Sequence, residues 1–404
     1  MDKTTPTKVR PNFQRTAMLG AMFLMATSAI GPGFITQTTV FTVQLGAAFA
    51  FAILLSVLVD IAVQLNVWRI IGISGMRAHE LGNKVLPGAG WLLAALVFLG
   101  GVVFNIGNIA GTGLGVNAMM GLDPKIGGAA SAVIAILIFL SKKAGMALDR
   151  IVVLLGALMI LLMLYVAIVA APPVGEALKN TFLPEKIDFL VITTLIGGTV
   201  GGYITYAGAH RMLDSGAHGV ENVKAISRSS ILGILVTGIM RVLLFLAILG
   251  VVAGGVALTS DNMAAEAFGA AAGEIGMRMF GVVLWAAALT SVIGAAYTSV
   301  SFITKTTTAE RKRNLIIVAF IAVCAVIYVF LGQAPQELLI FAGAFNGLIL
   351  PIGFAILLWA AWRRRDLLHG YAYPKWLLIL GAVAWLLTLY LGWNSLAGLS
   401  QFWS

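Results

Sequence analysis

The sequence predicts an all-α integral membrane protein with about eleven transmembrane helices, two of them broken near mid-bilayer. Three observations carry this reading. The 404 residues are 60% hydrophobic and only 10% charged, with a mean hydropathy of +0.99, a composition that excludes a soluble globular domain. The apolar residues fall into stretches of about 20 or more, the length a bilayer requires. Residues 30–39, inside the first stretch, read Ile-Gly-Pro-Gly-Phe-Ile-Thr-Gln-Thr-Thr. Gly31, Pro32 and Gly33 interrupt a helix there, since proline removes a donor and clashes with the preceding turn. Freed backbone groups survive in a bilayer only against protein, water or a bound solute, so such a break points to a transporter's substrate site. The alternative is a proline kink filled by neighbouring helices.

The apolar segments lie near 16–41, 45–68, 89–120, 126–141, 151–171, 189–213, 229–257, 279–304, 314–332, 338–362 and 376–396. With the N-terminus cytoplasmic, 21 of the 26 basic residues fall on inner flanks, while Lys125, Lys179, Lys186 and Arg278 lie outside and Arg241 within segment 7. The positive-inside rule then places the protein in the plasma (cytoplasmic) membrane as a multi-pass chain, N-terminus inside and C-terminus outside. It also accounts for the net charge of +10 without a nucleic-acid partner. Residues 1–15 are polar and basic, unlike a cleavable signal. The loops 172–188 and 258–277 read as short outer caps. Trp68, Trp91, Trp359, Trp362, Trp376 and Trp393 fall near segment ends, where interfacial aromatic belts are expected. The single cysteine, Cys324, can form no internal disulfide.

Segment 6 is the second irregular span, with Gly197, Gly198, Gly201 and Gly202 followed by Tyr203, Thr205, Tyr206, Gly208, Ala209 and His210. For the glycines, close packing and unwinding are both consistent with the sequence. Segments 1 and 6 are five apart, the spacing of an inverted 5+5 repeat. The chain is accordingly read as one transporter domain over 1–404. Its first repeat with the N-terminal tail is 1–171, its second repeat 172–362, and an additional C-terminal helix occupies 363–404.

Candidate substrate-binding residues are Gly31, Pro32, Gly33, Thr36, Gln37, Thr205, Tyr206 and Asn346, which gather at the two irregular spans or on segment 10. Asn105 and Asn108, one turn apart on segment 3, are candidate pathway or coupling residues, together with His210 and Arg211. Ionisable groups inside a span are costly and default to functional hypotheses. Asp60 is nevertheless read first as pairing with a basic group across the bundle, and Arg241 as a packing anchor, with sensing of an anionic substrate as its alternative. Asp214 could neutralise Arg211, which with His210 would then mark the cytoplasmic boundary. Nothing resembles a nucleotide-binding loop, a nucleophile elbow or a zinc motif, so no cofactor, ATP coupling or enzyme chemistry is expected.

These residues resemble the Nramp divalent-metal transporters. Gly31-Pro32-Gly33 looks like that family's Asp-Pro-Gly-Asn break. Residues 65–81 look like its segment after helix 2, residues 105–117 are similar to its helix 3, and Leu350-Pro351 matches a Leu-Pro of its helix 10. The resemblance implies a LeuT-type fold with alternating access around helices 1 and 6. It also exposes departures. The family's metal-binding aspartate falls on Gly31, its asparagine on Phe34, its helix-3 acidic pair on Asn105 and Asn108, and its helix-10 glutamine on Ile349. Its Met-Pro-His finds a nearest placement on Gly208-Ala209-His210, without the thioether.

The resemblance therefore implies an Nramp-like secondary transporter of a divalent metal cation (manganese, magnesium or iron type) that lacks the usual acidic groups. Metal-ligating residues stay unassigned. The local chemistry supports a second cargo, a small organic carboxylate or amino-acid-like solute. Such a cargo would be held by half-helix amides, Thr36, Gln37 and Tyr206, with Arg211 adding attraction and Gly33 allowing close backbone approach. A third class, a non-transporting scaffold or sensor, has no use for a polar lining around two breaks. Expected partners are the small solute or ion and the lipid bilayer, with no nucleic acid; the oligomeric state stays open.

Overall fold

A computed structural model describes residues 18–399 except positions 19, 23, 24, 27 and 305–307, and at 142–153 and 397–399 only the helical course. The basic tail residues Lys3, Lys8, Arg10 and Arg15, and Lys305, lie outside the described residues. The described residues form helices and connections, without strands. The first span is α1 (the helical residues of 18–29) and α2 (Pro32–Leu45). The next five spans run α3 (Phe49–Ser74), α5 (Ala89–Met120), α6 (Pro124–Leu140), α7 (Lys142–Ala170) and the pair α9 (Phe189–Thr199) and α10 (Ile204–Asp214). The remaining spans are α11 (Val223–Ala253), α12 (Met263–Ile303), α13 (Glu310–Phe330), α14 (Pro335–Arg363) and α15 (Lys375–Leu399). Two short helices, α4 (Ala78–Val85) and α8 (Val174–Phe182), sit in connections. Every apolar segment read from the sequence thus carries a helix.

The differences have local causes. The outer loops hold helices: α8 lies within 172–188, and α12 starts at Met263 rather than near 279. Glu266, Glu274 and Arg278 end the hydropathic signal there but not the helix, which bends at Gly273 (φ 67°). Asn262 caps its start by accepting from the Ala265 N–H at 3.4 Å. Asp123 and Asp188 cap α6 and α9 in the same way. Helix α3 continues to Ser74, six residues past the apolar run. Its polar end is satisfied by protein: Arg69 donates to Ser227 Oγ at 2.7 Å and to the Tyr371 hydroxyl at 2.9 Å.

Helix α5, like α12 and α14, contributes to each of three apolar clusters. Leu93, Val97 and Phe104 join α3, α10 and α14; Leu114 and Ala118 join α7, α11 and α12; Ile106 and Ile109 join α6, α12 and α13. Small residues let its neighbours approach. A Cβ on Gly115 would stand 2.6 Å from the Trp285 backbone N, and one on Gly111 would overlap the Pro32 ring. The outer surface is apolar. Trp91, Trp359, Trp362, Trp376 and Trp393 are all at least half exposed, as an aromatic belt requires. Trp68 is not part of that belt. It is fully buried, its indole N–H donates to the Thr205 carbonyl at 2.9 Å, and its ring lies against Gly208.

The basic flanks predict a C-terminus outside, an expectation tested by fusing alkaline phosphatase or a fluorescent protein to the C-terminus. Phosphatase activity with dark fluorescence is expected. The reverse pattern would invert the topology.

Candidate functional site: two facing helix breaks

The first break is made by Ile30 and Gly31. The Ile30 N–H closes α1 on the Ala26 carbonyl at 2.8 Å, and α2 opens with Pro32 at N1, where a missing N–H costs nothing. Gly31 offers no capping side chain, so the leading N–H groups of α2 keep the partial positive charge of a helix N-terminus. Pro32 is wedged against Gly111 of α5. Gly31 itself faces Ser291 and Asn108: a Cβ there would stand 2.8 Å from Ser291 Oγ and 3.7 Å from Asn108 Oδ1. Gly33 differs from the expectation. A Cβ on it would meet nothing nearer than 3.5 Å, so close approach occurs at Gly31 instead.

The second break runs from Val200 to Tyr203 between α9 and α10. The four glycines divide their work. Gly197 abuts the Gly343 carbonyl and Gly347 of α14, and Gly198 abuts the Gln37 amide, so both are packing residues. Gly201 and Gly202 form the break. Gly202 has φ +52°, in the left-handed region where a side chain is strained, and a Cβ there would overlap Asn346 Oδ1. Gly208-Ala209-His210, the nearest sequence placement of the family's Met-Pro-His, lies instead inside regular helix α10. A regular hydrogen-bond ladder leaves no free carbonyl there to ligate anything.

Asn108 joins the two breaks. Its Oδ1 points toward Gly31, its Nδ2 is buried without a partner, and the fully buried Tyr203 hydroxyl is directed at it without reaching hydrogen-bond geometry. Tyr203 is held by an edge-on contact with Phe104, ring centroids 5.5 Å apart. The sequence listed Tyr203 among irregular residues but not as a site residue. Its signal was its place directly after a Gly-Gly pair. Gln37 and Asn346 act as pegs between helices, each donating its amide N–H to a carbonyl of a neighbouring helix: Gln37 to Leu339 at 3.0 Å, Asn346 to Gly100 at 3.1 Å. Their oxygens, Gln37 Oε1 and Asn346 Oδ1, have no partner.

Other candidates separate. Thr36 is buried beside the break, and the Thr205 hydroxyl is buried without a partner. Thr38, Thr39 and Thr42 bond back to carbonyls of α2 and offer nothing outward. Asn105 is buried with both amide atoms unpartnered and faces Cys324 of α13 rather than the breaks. Tyr206 lies one turn past Tyr203, its hydroxyl against Gly353 and its ring edge-on to Phe302 at 5.1 Å.

One buried charged pair lies beside the breaks, and the other charged groups gather at the end of α10. Asp60 and Arg241 attract each other across Thr199, whose hydroxyl accepts from Arg241 at 3.2 Å, and the Arg241 guanidinium lies 4.5 Å over the Phe34 ring. At the end of α10, Asp214 does not neutralise Arg211. It takes Arg77 at 2.8 Å and accepts from the Tyr297 hydroxyl at 2.7 Å, because the connection after α3 folds across the end of the bundle. Arg77 also donates to the Ser301 and Thr304 carbonyls at 3.0 and 3.1 Å. His210 belongs to the same clamp. The Ala78 N–H donates to its Nε2, so Nδ1 carries the proton and donates to Ser301 Oγ, which donates onward to the Thr298 carbonyl. Arg211 is exposed and lines a polar cavity of about 600 Å³ with Arg77, Arg313, His218 and Tyr297. Among the described residues, no group of three or more His, Cys, Asp or Glu side chains could hold a metal ion.

Two outcomes follow from this geometry. Asp214→Asn leaves Arg77 buried beside a neutral amide, so thermal unfolding in detergent should show a loss of about 2 kcal/mol, below the 3–5 kcal/mol of a wholly buried pair because Asp214 is partly exposed. An unchanged melt would remove the clamp. Asn108→Leu keeps the branching but removes the amide that lies between the breaks. Solute binding should fall about 10-fold or more, the loss of one hydrogen bond to a charged group, with the melt little changed.

Residues 22–398 match the family described as natural resistance-associated macrophage protein-like, or Nramp. The Bacillus subtilis membrane protein YcsG is 51% identical over 389 residues, covering 96% of both chains, and is described as uncharacterized. A membrane protein of Haemophilus influenzae, likewise uncharacterized, is 53% identical over 369 residues, covering 91% of this chain and 92% of its own. Among solved structures, the Eremococcus coleocola manganese transporter in complex with an aromatic bis-isothiourea substituted compound aligns with TM-score 0.74 at 17% identity, over 98% of this chain and 89% of that one. MhsT in complex with L-phenylalanine aligns with TM-score 0.69 at 18% identity, over 93% of this chain and 98% of that one. Helices broken in the first and sixth spans, a helical membrane bundle and a family match along nearly the whole chain agree: this protein belongs to the Nramp-like family and has the LeuT-type fold.

Proposed function

We propose that the protein is a secondary transporter, and that the cargo held at its two breaks is a small organic solute bearing a carboxylate. The observation that carries this reading is the junction at Asn108. The uncapped N-terminus of α2, Ser291, Tyr203 and Asn108 come together there, and none of them is acidic. A hard divalent cation wants several oxygen ligands, usually including carboxylates that offset its lost hydration. Gly31, Asn105 and Asn108 stand where the family resemblance implies carboxylates. A carboxylate wants the opposite, namely helix N-terminal amides and neutral donors. The cavity beyond the Arg77–Asp214 clamp agrees in sign, since Arg77, Arg211 and Arg313 outnumber Glu80 and Asp214 on its wall. A route lined in this way repels a cation and attracts an anion.

Divalent-metal transport is the second reading. Family membership and the manganese transporters among the structural neighbours favour it. On that reading, the unpartnered oxygens of Gln37 and Asn346 would be neutral ligands for a partly hydrated ion.

Purified protein is screened by thermal shift against small carboxylates, amino acids, and manganese and magnesium salts. A ligand at 100 times its Kd stabilises by about 2.7 kcal/mol whatever ion drives transport. At least one carboxylate or amino acid should give saturable stabilisation that Asn108→Leu abolishes, with the metals silent, and the same compound should be accumulated by proteoliposomes. Saturable stabilisation and uptake of manganese, with every organic compound silent, would establish the metal reading instead.

A further inference from the structure

Away from the residues of both breaks, α14 and α15 leave an open groove of about 760 Å³. Its walls are apolar and aromatic: Trp359 and Trp362 from α14, Ile379 and Trp385 from α15. Its mouth is cationic, lined by Arg365 and Lys375. The polar atoms of the deeper rings are already spent inside the protein. The Trp385 indole donates to the Pro351 carbonyl at 3.0 Å and the Tyr373 hydroxyl donates to Asn66 at 2.9 Å, so only ring faces meet the groove. The outer wall lies open, with Trp359 50%, Trp362 54% and Ile379 64% exposed.

The charges at the mouth are uncompensated. Asp366, the acid nearest in the chain, is held by Arg364 through bonds of 2.8 and 2.9 Å. Among the described residues, Arg365 and Lys375 form no ion pair, and both are exposed. An apolar slot open to the bilayer beneath two free cations matches one class of molecule: acyl chains beneath an anionic phosphate. Basic pockets between transmembrane helices bind anionic lipid head groups on the same grounds. A second copy of the chain fits less well. A twofold contact through this face would set Arg363, Arg365 and Lys375 against their own equivalents, and the only adjacent acid is already paired.

We propose that the α14–α15 groove is a binding site for one anionic glycerophospholipid, its phosphate held by Arg365 and Lys375 and an acyl chain lying over Trp359, Trp362 and Ile379. Trp359 and Trp362 lie in the last turns of α14, and helix ends are where interfacial aromatics are expected. The lipid covers the seam between the last helix and the rest of the bundle and fastens α15 to α14.

The test is native mass spectrometry of the delipidated full-length protein with phosphatidylglycerol or phosphatidylcholine of identical chains. The wild type should retain one phosphatidylglycerol in preference to phosphatidylcholine by about 30-fold, the equivalent of roughly 2 kcal/mol for two surface cations. The double variant R365Q/K375Q should lose that preference while its melting temperature in lipid-free detergent stays unchanged. A second variant, Ile379→Trp, fills the slot and should weaken both lipids without touching the charges. Equal retention of the two lipids by the wild type would overturn the site. So would a preference that survives R365Q/K375Q, or a dimer that persists without lipid and dissociates in Ile379→Trp.

Discussion

Inside a bilayer, every backbone N–H and C=O must find its partner within the protein, and this chain breaks two of its helices where water is scarce. The rest of the structure answers that constraint. Glycines bring helices close enough for side-chain amides to cross from one to another, so that Gln37 spans α2, α9 and α14 while Asn346 spans α5, α14 and the Gly202 turn. The breaks persist because their surroundings are over-determined. Pro32 is seated in the notch of Gly111, and Tyr203 is pinned by Phe104 and directed at Asn108. Several of the buried polar atoms left without a partner, on Gln37, Asn108, Tyr203, Thr205 and Asn346, lie at or beside the two breaks.

Charge is distributed by the same logic. A buried ion without a partner is expensive, so the ionised groups of the spans are drawn together or kept at the ends. Asp60 lies within Coulombic reach of Arg241, which donates to the Thr199 hydroxyl and rests over the Phe34 ring on α2. Phe34 occupies the position where the family resemblance places an asparagine, so an aromatic ring braces the break where a ligand would be expected. The clamp of Arg77, Asp214, Tyr297, His210 and Ser301 ties the end of α10 to α12 and to the connection after α3. Separating these helices on one side of the bundle would require breaking that network first. The polar cavity immediately beyond it takes its basic character from residues the clamp leaves over, Arg211 and Arg313.

Much of this was legible in the linear chain because bilayer thickness converts directly into segment length. Each of the eleven apolar stretches carries a helix, and the Gly-Pro-Gly signal overlaps the first break at Gly31, with Pro32 and Gly33 already inside α2. Segment ends were less legible. Hydropathy treats a charge as a boundary, whereas Glu266 and Arg278 sit on a helix that simply emerges from the membrane region. Local pairing was also misleading. Asp214 lies three residues from Arg211, yet it binds Arg77 from a distant part of the chain. Trp68 had the position of a belt residue but serves as a buried prop beneath α10.

The sequence by itself determined the class of protein, the helical segments, the approximate place of the first break and the absence of acidic residues within residues 16–41. Each of these depends on composition or on rules that act within one segment. Only the tertiary structure decided which glycines pack and which unwind, since Gly197 and Gly202 differ in what crosses opposite them: the backbone of α14 in one case, the Asn346 side chain in the other. It likewise decided that Asn108 faces both breaks while Asn105, one turn earlier, faces α13. Helical periodicity places the two residues on similar faces, and only the three-dimensional arrangement of neighbouring helices separates them.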